Sequence, residues 1–292
     1  MGHWYTIDAK PMHTVIGKNG KERDTTLADA RKLNLFPSAT TILSEWANPD
    51  LERASKRLLL EQAYLTKIDG KDQKVWAKEV NDAAFKPWNY KADFGTKVHA
   101  AIEAKLKGDT LAFNKDEVVE TPDGEKVKLE VFVDAAMKAL KELEIEEHNI
   151  RGVEKTVTLP SHGYAGTIDL LYDWQKGYDM FLGVLDFKTT STRKDEPVLH
   201  KKSHAPQIAA YWRAASLPYM QENKPLKGGQ GVNVYISTTE PGRYDIRKYD
   251  NYALMKGLMV FDACLALWQA DNEYVPQVND TNENDTTTTT TQ

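Results

Sequence analysis

Tyr164-Ala-Gly-Thr-Ile-Asp-Leu-Leu-Tyr-Asp-Trp174 and Met180-Phe-Leu-Gly-Val-Leu-Asp-Phe-Lys-Thr189 flank a turn at Gln175-Lys-Gly177. Both stretches are rich in aliphatic and aromatic residues and read as strands of one antiparallel hairpin. The second is apolar enough to sit centrally in a sheet. Residues two apart on a strand share a face, so Asp186 and Lys188 point the same way. Across the hairpin, Asp169 lies near Asp186. Two carboxylates at short range repel each other. A hard divalent cation resolves that conflict, and oxygen ligands suit Mg²⁺ or Mn²⁺. A lysine beside such an ion can orient or deprotonate a water, which suits hydrolysis of a phosphodiester. An isolated Asp-x-Lys is usually no more than a solvated strand face. Here Gly183-Val-Leu185 and Phe187 enclose it, and inward polar groups are costly without partners.

Outward from the hairpin, Val153 and Thr156-Val-Thr158 favour a preceding strand, separated from it by Ser161-His-Gly163. Downstream, a helix is expected over 205–221 with a break near Pro218, then strands over 232–237 and 244–249, then a closing helix over 252–268. Upstream, Pro37-Ser38 reads as a helix start with Ser38 or Thr40 as cap. Helices are expected over 51–65, 74–85, 93–107 and 125–143. This order gives an α/β (α+β) sandwich, a small central mixed sheet flanked by helices. It is not a doubly wound nucleotide fold, which alternates strand and helix throughout. The polar end, Thr281-Asn-Glu-Asn-Asp followed by a threonine run, is expected to be disordered.

Composition narrows the function. The chain has 292 residues, 41% hydrophobic and 28% charged, enough for a large core without staples. The single cysteine, Cys264, excludes an internal disulfide framework and a four-cysteine iron–sulfur cluster. No GxxxxGK[ST] sequence occurs, so neither a nucleotide cofactor nor a helicase motor is expected. No uninterrupted apolar run approaches 18 residues, and the N-terminus lacks the run of a secretory signal. Met1-Gly2-His-Trp-Tyr-Thr6 matches only a loose acylation pattern, so a cytoplasmic protein with no membrane role is expected. The net charge of −5 argues against a uniformly basic surface. Between 186 and 213, however, Lys188, Arg193, Lys194, Lys201, Lys202 and Arg213 outnumber Asp186, Asp195 and Glu196.

Two helical constellations complete the pattern. His99 and Glu103 stand at i and i+4 in Gly95-Thr-Lys-Val-His-Ala-Ala-Ile-Glu103, and Gln207 and Tyr211 do so in Gln-Ile-Ala-Ala-Tyr. Taken in order, GTKVHAAIE, GTIDLLYD, VLDFKTT and QIAAY resemble the PD-(D/E)XK nuclease superfamily, and within it the RecB-type exonuclease branch. The Pro37–Leu43 segment, PSATTIL, is also similar to that of mitochondrial and phage-type members.

The resemblance implies a restriction-endonuclease-like αβββαβ core over 91–272, a mostly helical DNA-contacting region over 1–90 and a disordered tail over 273–292. It implies a Mg²⁺-dependent DNA exonuclease of replication, recombination or repair, with Mn²⁺ as a substitute. An endonuclease, an inactive nucleic-acid-binding protein and a hydrolase of another phosphoester are the alternatives. Asp169, Asp186 and Lys188 take the catalytic positions. His99, Asp169, Asp186 and the Phe187 carbonyl take the metal positions. Gln207, Tyr211, Thr189, Ser191, Ser38 and Arg193 fall at substrate-binding positions, with Glu103 and Glu154 as further acidic candidates. The implied partner is DNA with a single-stranded segment or end, on which Trp46, Trp88 and Tyr90 can stack, alongside recombination or replication proteins. The implied setting is the cytoplasm of a bacterial or phage-infected cell.

Overall fold

Residues 2–278, apart from 47, 110 and 222–225, are described by a computed structural model. Strand β1 (Trp4–Tyr5) is followed by a hairpin of β2 (Thr14–Ile16) and β3 (Glu22–Asp24), helix α1 (Leu27–Leu33) and β4 (Phe36–Pro37), which returns to pair with β1. Thr26 and Asp29 close a capping box on α1, and Asn34 ends it in the left-handed region. Helix α2 (Ala39–Leu43) starts at Ser38, whose hydroxyl accepts from the Thr41 amide. Helices α3 (Pro49–Leu65) and α4 (Gln73–Leu106) form a hairpin. Strands β5 (Val118–Glu120) and β6 (Lys126–Lys128) turn at Thr121-Pro-Asp-Gly124 before helix α5 (Glu130–Glu142). Then come β7 (Ile150–Leu159), β8 (Tyr164–Lys176), β9 (Asp179–Thr190), α6 (His204–Gln221), β10 (Leu226–Ser237), β11 (Tyr244–Tyr249) and α7 (Asn251–Asp271).

The last five strands form one mixed sheet in the order β11-β10-β9-β8-β7, with β9 and β10 parallel and the other pairs antiparallel. Period-2 alternation splits β9 between two cores. Leu182 and Val184 pack toward Ile208 and Ala209 of α6 and Phe261 and Leu265 of α7. Leu185 and Phe187 pack toward Phe94, Val98 and Ile102 of α4 and Phe132 and Leu140 of α5. This is a restriction-endonuclease-like mixed sheet with helices on both faces.

Several expected elements differ. The helices expected over 74–85 and 93–107 are one 34-residue helix that runs through Pro87. Pro87 removes one backbone donor, but burial of Val80 and Ala84 before it and Phe94 and Val98 after it keeps the axis continuous. α6 likewise passes through Pro218 without ending. The helix expected from 125 begins at Glu130, because 126–128 pairs as a strand. The boundary expected at residue 90 therefore falls inside α4. The N-terminal region mixes short strands with its helices, and Trp4, Ala30, Leu35 and Ile42 share a core with Ile208 and Phe261. Part of the expected tail is anchored: the Tyr274 hydroxyl donates to the Ala30 and Leu35 carbonyls, and Gln277 bonds Asn34. The remainder of the tail, from 279, lies outside the described residues.

α7 is the one helix, among the described residues, long and apolar enough to cross a membrane by length and composition. Leu254, Leu258, Phe261, Leu265 and Trp268 spend its apolar stripe on the core. Gly257 lets α6 approach closely: a Cβ there would stand 2.9 Å from both the Ala205 carbonyl oxygen and the Ala209 Cβ. Neither atom can rotate away. Gly257→Ala should therefore cost about 1–3 kcal/mol through overpacking, despite alanine's better helix propensity. Urea unfolding measures it; an equal or raised midpoint would contradict the packing described.

Candidate active site

The site begins where two strands part. The β8–β9 ladder runs from Lys176–Asp179 to Leu170–Leu185 and stops. The next facing pair in that register is Asp169 and Asp186. Ile168 belongs to one core and Leu170 to the other, so β8 breaks its alternation at Asp169. Beyond the break β8 stays with β7, and β9 stays with β10. The Phe187 amide loses its strand partner and donates instead to Asp169 Oδ2 at 2.8 Å. A buried amide needs such an acceptor, so the carboxylate and the strand split require each other.

Asp186 is only 3% exposed. It accepts from Lys188 Nζ at 2.8 Å, Asn233 Nδ2 at 2.8 Å and Gln207 Nε2 at 3.3 Å. Lys188 shares its strand face, as the spacing predicts. Asn233 lies opposite Asp186 in the parallel β9–β10 register and is fully buried. Its role was missed in the sequence, although a lone amide inside Gly231-Val-Asn-Val-Tyr-Ile is itself a signal, since a central strand hides no unpartnered polar group.

His99 reaches the site because α4 lies close to β9. A Cβ on Gly95 would stand 2.7 Å from Thr189 Oγ1, so the glycine sets that approach. One turn on, His99 Nδ1 stands 3.5 Å from Asp169 Oδ2. Gly166 does the same behind the site: a Cβ there would meet the Tyr211 ring at 2.5 Å. Tyr211 is buried and accepts from Gln207 Nε2 at 3.2 Å. The Gln207–Tyr211 pair thus lies beneath Asp186 and supports it, rather than lining an open substrate surface.

The remaining candidates divide. Glu154, opposite Asp169 on β7, adopts a left-handed φ of 51° that interrupts the ladder. Glu103 pairs with Lys107 at 2.6 Å. Thr189 packs on α4, across β9 from Lys188. Ser191 and Arg193 lie exposed beyond β9, where Arg193 approaches Glu196 at 3.7 Å. Ser38 is buried, and its hydroxyl caps α2 and contacts Thr40 and Thr41. Arg213, one of the basic residues of the 186–213 stretch, is held over Tyr164 and Phe261 and pairs with Asp262 at 2.8 Å, joining α6 to α7. Tyr90 bonds the Glu120 carbonyl, whereas Trp46 and Trp88 line one cleft with His200, Lys201 and Lys202.

Electrostatics mark the acidic cluster. Burial pushes Asp169 well above the usual carboxylate range, and the charges of Asp186 and Glu154 push it further. Burial also lifts Glu154 from 4.5 to about 7, with Glu103 and Asp186 adding to the rise. Burial lowers His99, which favours the neutral imidazole that a metal needs. Among the described residues no three His, Cys, Asp or Glu side chains already close into a ligand shell, and Asp186 is engaged by Lys188, Gln207 and Asn233. In chemical kind the donors fit a hard divalent cation: two mutually repelling, mostly buried carboxylates and a neutral imidazole.

A sheet that splits at paired aspartates, with a lysine two residues on, defines a class of nuclease. The chain belongs to the PD-(D/E)XK nuclease superfamily, whose family model matches residues 62–283. A solved structure from Eubacterium rectale, described as a putative exonuclease, is similar at 16% identity and a TM-score of 0.35, covering 62% of this chain and 68% of that one. A search of the curated proteins gives no match.

The raised Glu154 pKa has a signed consequence. The folded state binds its proton more tightly than the unfolded state, so stability falls as pH rises from 4.5 toward 7. Glu154→Gln should remove that contribution. The variant should gain stability over the parent progressively between pH 5 and pH 8 in denaturant melts; a constant difference across that range would contradict the assignment.

Proposed function

We propose that the chain is a metal-dependent exonuclease that hydrolyses DNA phosphodiester bonds from a single-stranded end. The convergence of Asp169, Asp186, Lys188 and His99 at the strand split is the observation that carries this reading. Asp169, Asp186, the Phe187 carbonyl and His99 would hold Mg²⁺, with Mn²⁺ as its substitute. The ion supplies Lewis-acid stabilisation of charge on the attacked phosphate and acidifies water.

Lys188 contributes on the same face. Its side chain is 23% exposed, so the ammonium is both held by Asp186 and open to substrate. It is suited to orient the attacking water and to meet negative charge as it grows in the transition state. Gln207 and Asn233 leave Asp186 little freedom to turn away, which preorganises the site.

The cleft of Trp46, Trp88, His200, Lys201 and Lys202 supports a single-stranded substrate. Its volume is 790 Å³, and it begins just before the helix that carries Gln207. Trp46 and Trp88 offer stacking faces for bases, and the two lysines offer partners for phosphates. A role in replication, recombination or repair, in a bacterial or phage-infected cell, follows from the similarity of the motifs to RecB-type exonucleases.

Digestion of end-labelled linear DNA and of closed circles, in Mg²⁺, Mn²⁺ or EDTA, tests the reading. Mononucleotide release from linear single strands, with circles intact and no cleavage in EDTA, is expected. Nicked circles would favour an endonuclease, and no cleavage in either metal would refute a nuclease. Lys188→Ala and Lys188→Arg should each lower kcat by at least about 100-fold, since arginine keeps the charge but loses the compact ammonium and cannot act as a base. DNA affinity measured in Ca²⁺ should stay within about threefold of the parent. Near-parental turnover in both variants would reduce Lys188 to an ion-pair partner.

A further inference from the structure

Helix α7 is apolar on both faces, whereas a helix with one face in water ordinarily turns charged residues outward. Its inner stripe packs into the core. At about 100° per residue, Tyr252, Met255, Met259, Ala263, Ala266 and Ala270 lie within about 60° of one outward line that runs for about 27 Å. All six are exposed, Tyr252 by 78% and Met259 by 74%. Lys256 is the one charged residue in the same sector. Along one flank of this line runs a groove of 410 Å³, in which Met259, Val260, Ala263 and Leu267 face Glu45 and Trp46.

The sizes along this face are ordered. Tyr252, Met255 and Met259 fill its first half, and three alanines its second. A second copy laid parallel would set large side chains on large ones and leave the alanines facing across a gap. Laid antiparallel, about a two-fold axis between Met259 and Ala263, it sets Met259 level with the partner's Ala263. Tyr252 then comes level with the partner's Ala270, and Met255 close to the partner's Ala266. Each bulky side chain meets a small one. The same axis keeps each flank of α7 beside the identical flank of its partner. Lys256 and the Glu45 groove share a flank, so the ammonium of Lys256 comes within about 5 Å, along the helix, of the level of the partner's Glu45. A lysine's four-carbon stem spans that offset. A lipid surface would use the apolar residues, but neither their size order nor this charge match.

We propose that the outward face of α7 is a homodimer interface, on which a second copy of the chain docks antiparallel about a two-fold axis between Met259 and Ala263, with Lys256 of each copy paired to the partner's Glu45. Such a contact uses the same patch on both copies and closes at two. Its composition suits an interface, with methionine and tyrosine along the seam and the charges at its edge. One helix-on-helix seam with its flanking groove is small for an interface, so pairing is reversible at micromolar concentration. The proposal does not rest on the nuclease reading.

Sedimentation equilibrium of the full chain, without DNA or metal, tests it from about 1 to 100 μM. The parent should shift from the mass of one chain toward that of two across this range. Lys256→Glu and Glu45→Lys should each weaken the dimer about tenfold or more, because each sets like charges together at both symmetric contacts. The double variant restores opposite charges and should return to within about threefold of the parent. Both positions lie on the surface, so thermal midpoints should stay near parental in all three. A parent that is a single chain throughout would overturn the proposal. So would a dimer indifferent to both single variants, or one that the double variant fails to restore. Flotation with neutral phosphatidylcholine vesicles separates the lipid alternative: the parent should stay unbound, and a monomeric parent that floats with the vesicles would assign the face to lipid instead.

Discussion

The single bond from the Phe187 amide to the Asp169 carboxylate stands at the centre of this fold. A β-ladder normally satisfies every inward amide by a neighbouring carbonyl. Here the ladder ends at Leu170–Leu185, and a side chain takes over the acceptor's place. That substitution opens the sheet between its second and third strands while leaving no amide orphaned. It also fixes Asp169 beside Asp186, where the ladder between the two strands ends.

Keeping acidic groups together in a half-dry site is unfavourable, and the surrounding structure is arranged to contain that cost. Asp186 is surrounded by donors from three elements: Lys188 of β9, Gln207 of α6 and Asn233 of β10. Asp169 and Glu154 instead show raised proton affinity. The scaffold contributes by close approach. Gly95 sets α4 against Thr189, and Gly166 makes room for Tyr211. Each glycine lies inside a motif whose charged residue attracts more notice, yet without these contacts His99 and Gln207 would not meet the aspartates.

Much of the core was legible because its signals are local. The hairpin carrying Asp169 and Asp186 announced itself through an apolar strand interrupted by charge, and the i, i+4 pairs of α4 and α6 follow from helical spacing. Other features depend on tertiary contacts. The helices expected over 74–85 and 93–107 leave a gap around Pro87, but burial on either side carries α4 through it. Arg213 reads as part of a basic stretch, but its ring contacts and Asp262 hold it between two helices. Ser38 reads as a cap and also as a substrate contact, and its buried hydroxyl forms the cap on α2. Asn233 belongs to a strand with no recognisable motif. Its importance comes from register, since it lies opposite Asp186 across a parallel pair formed 47 residues apart.

The central claim is that the split between β8 and β9 exists to hold a divalent cation on Asp169 and Asp186. Anomalous diffraction from crystals soaked in Mn²⁺ tests it most directly. Manganese is expected bounded by the Asp169 and Asp186 carboxylates and the Phe187 carbonyl, with His99 on the adjoining side, and is expected to be lost in Asp186→Ala crystals treated identically. Manganese found only elsewhere on the molecule, or retained at the split without Asp186, would contradict it.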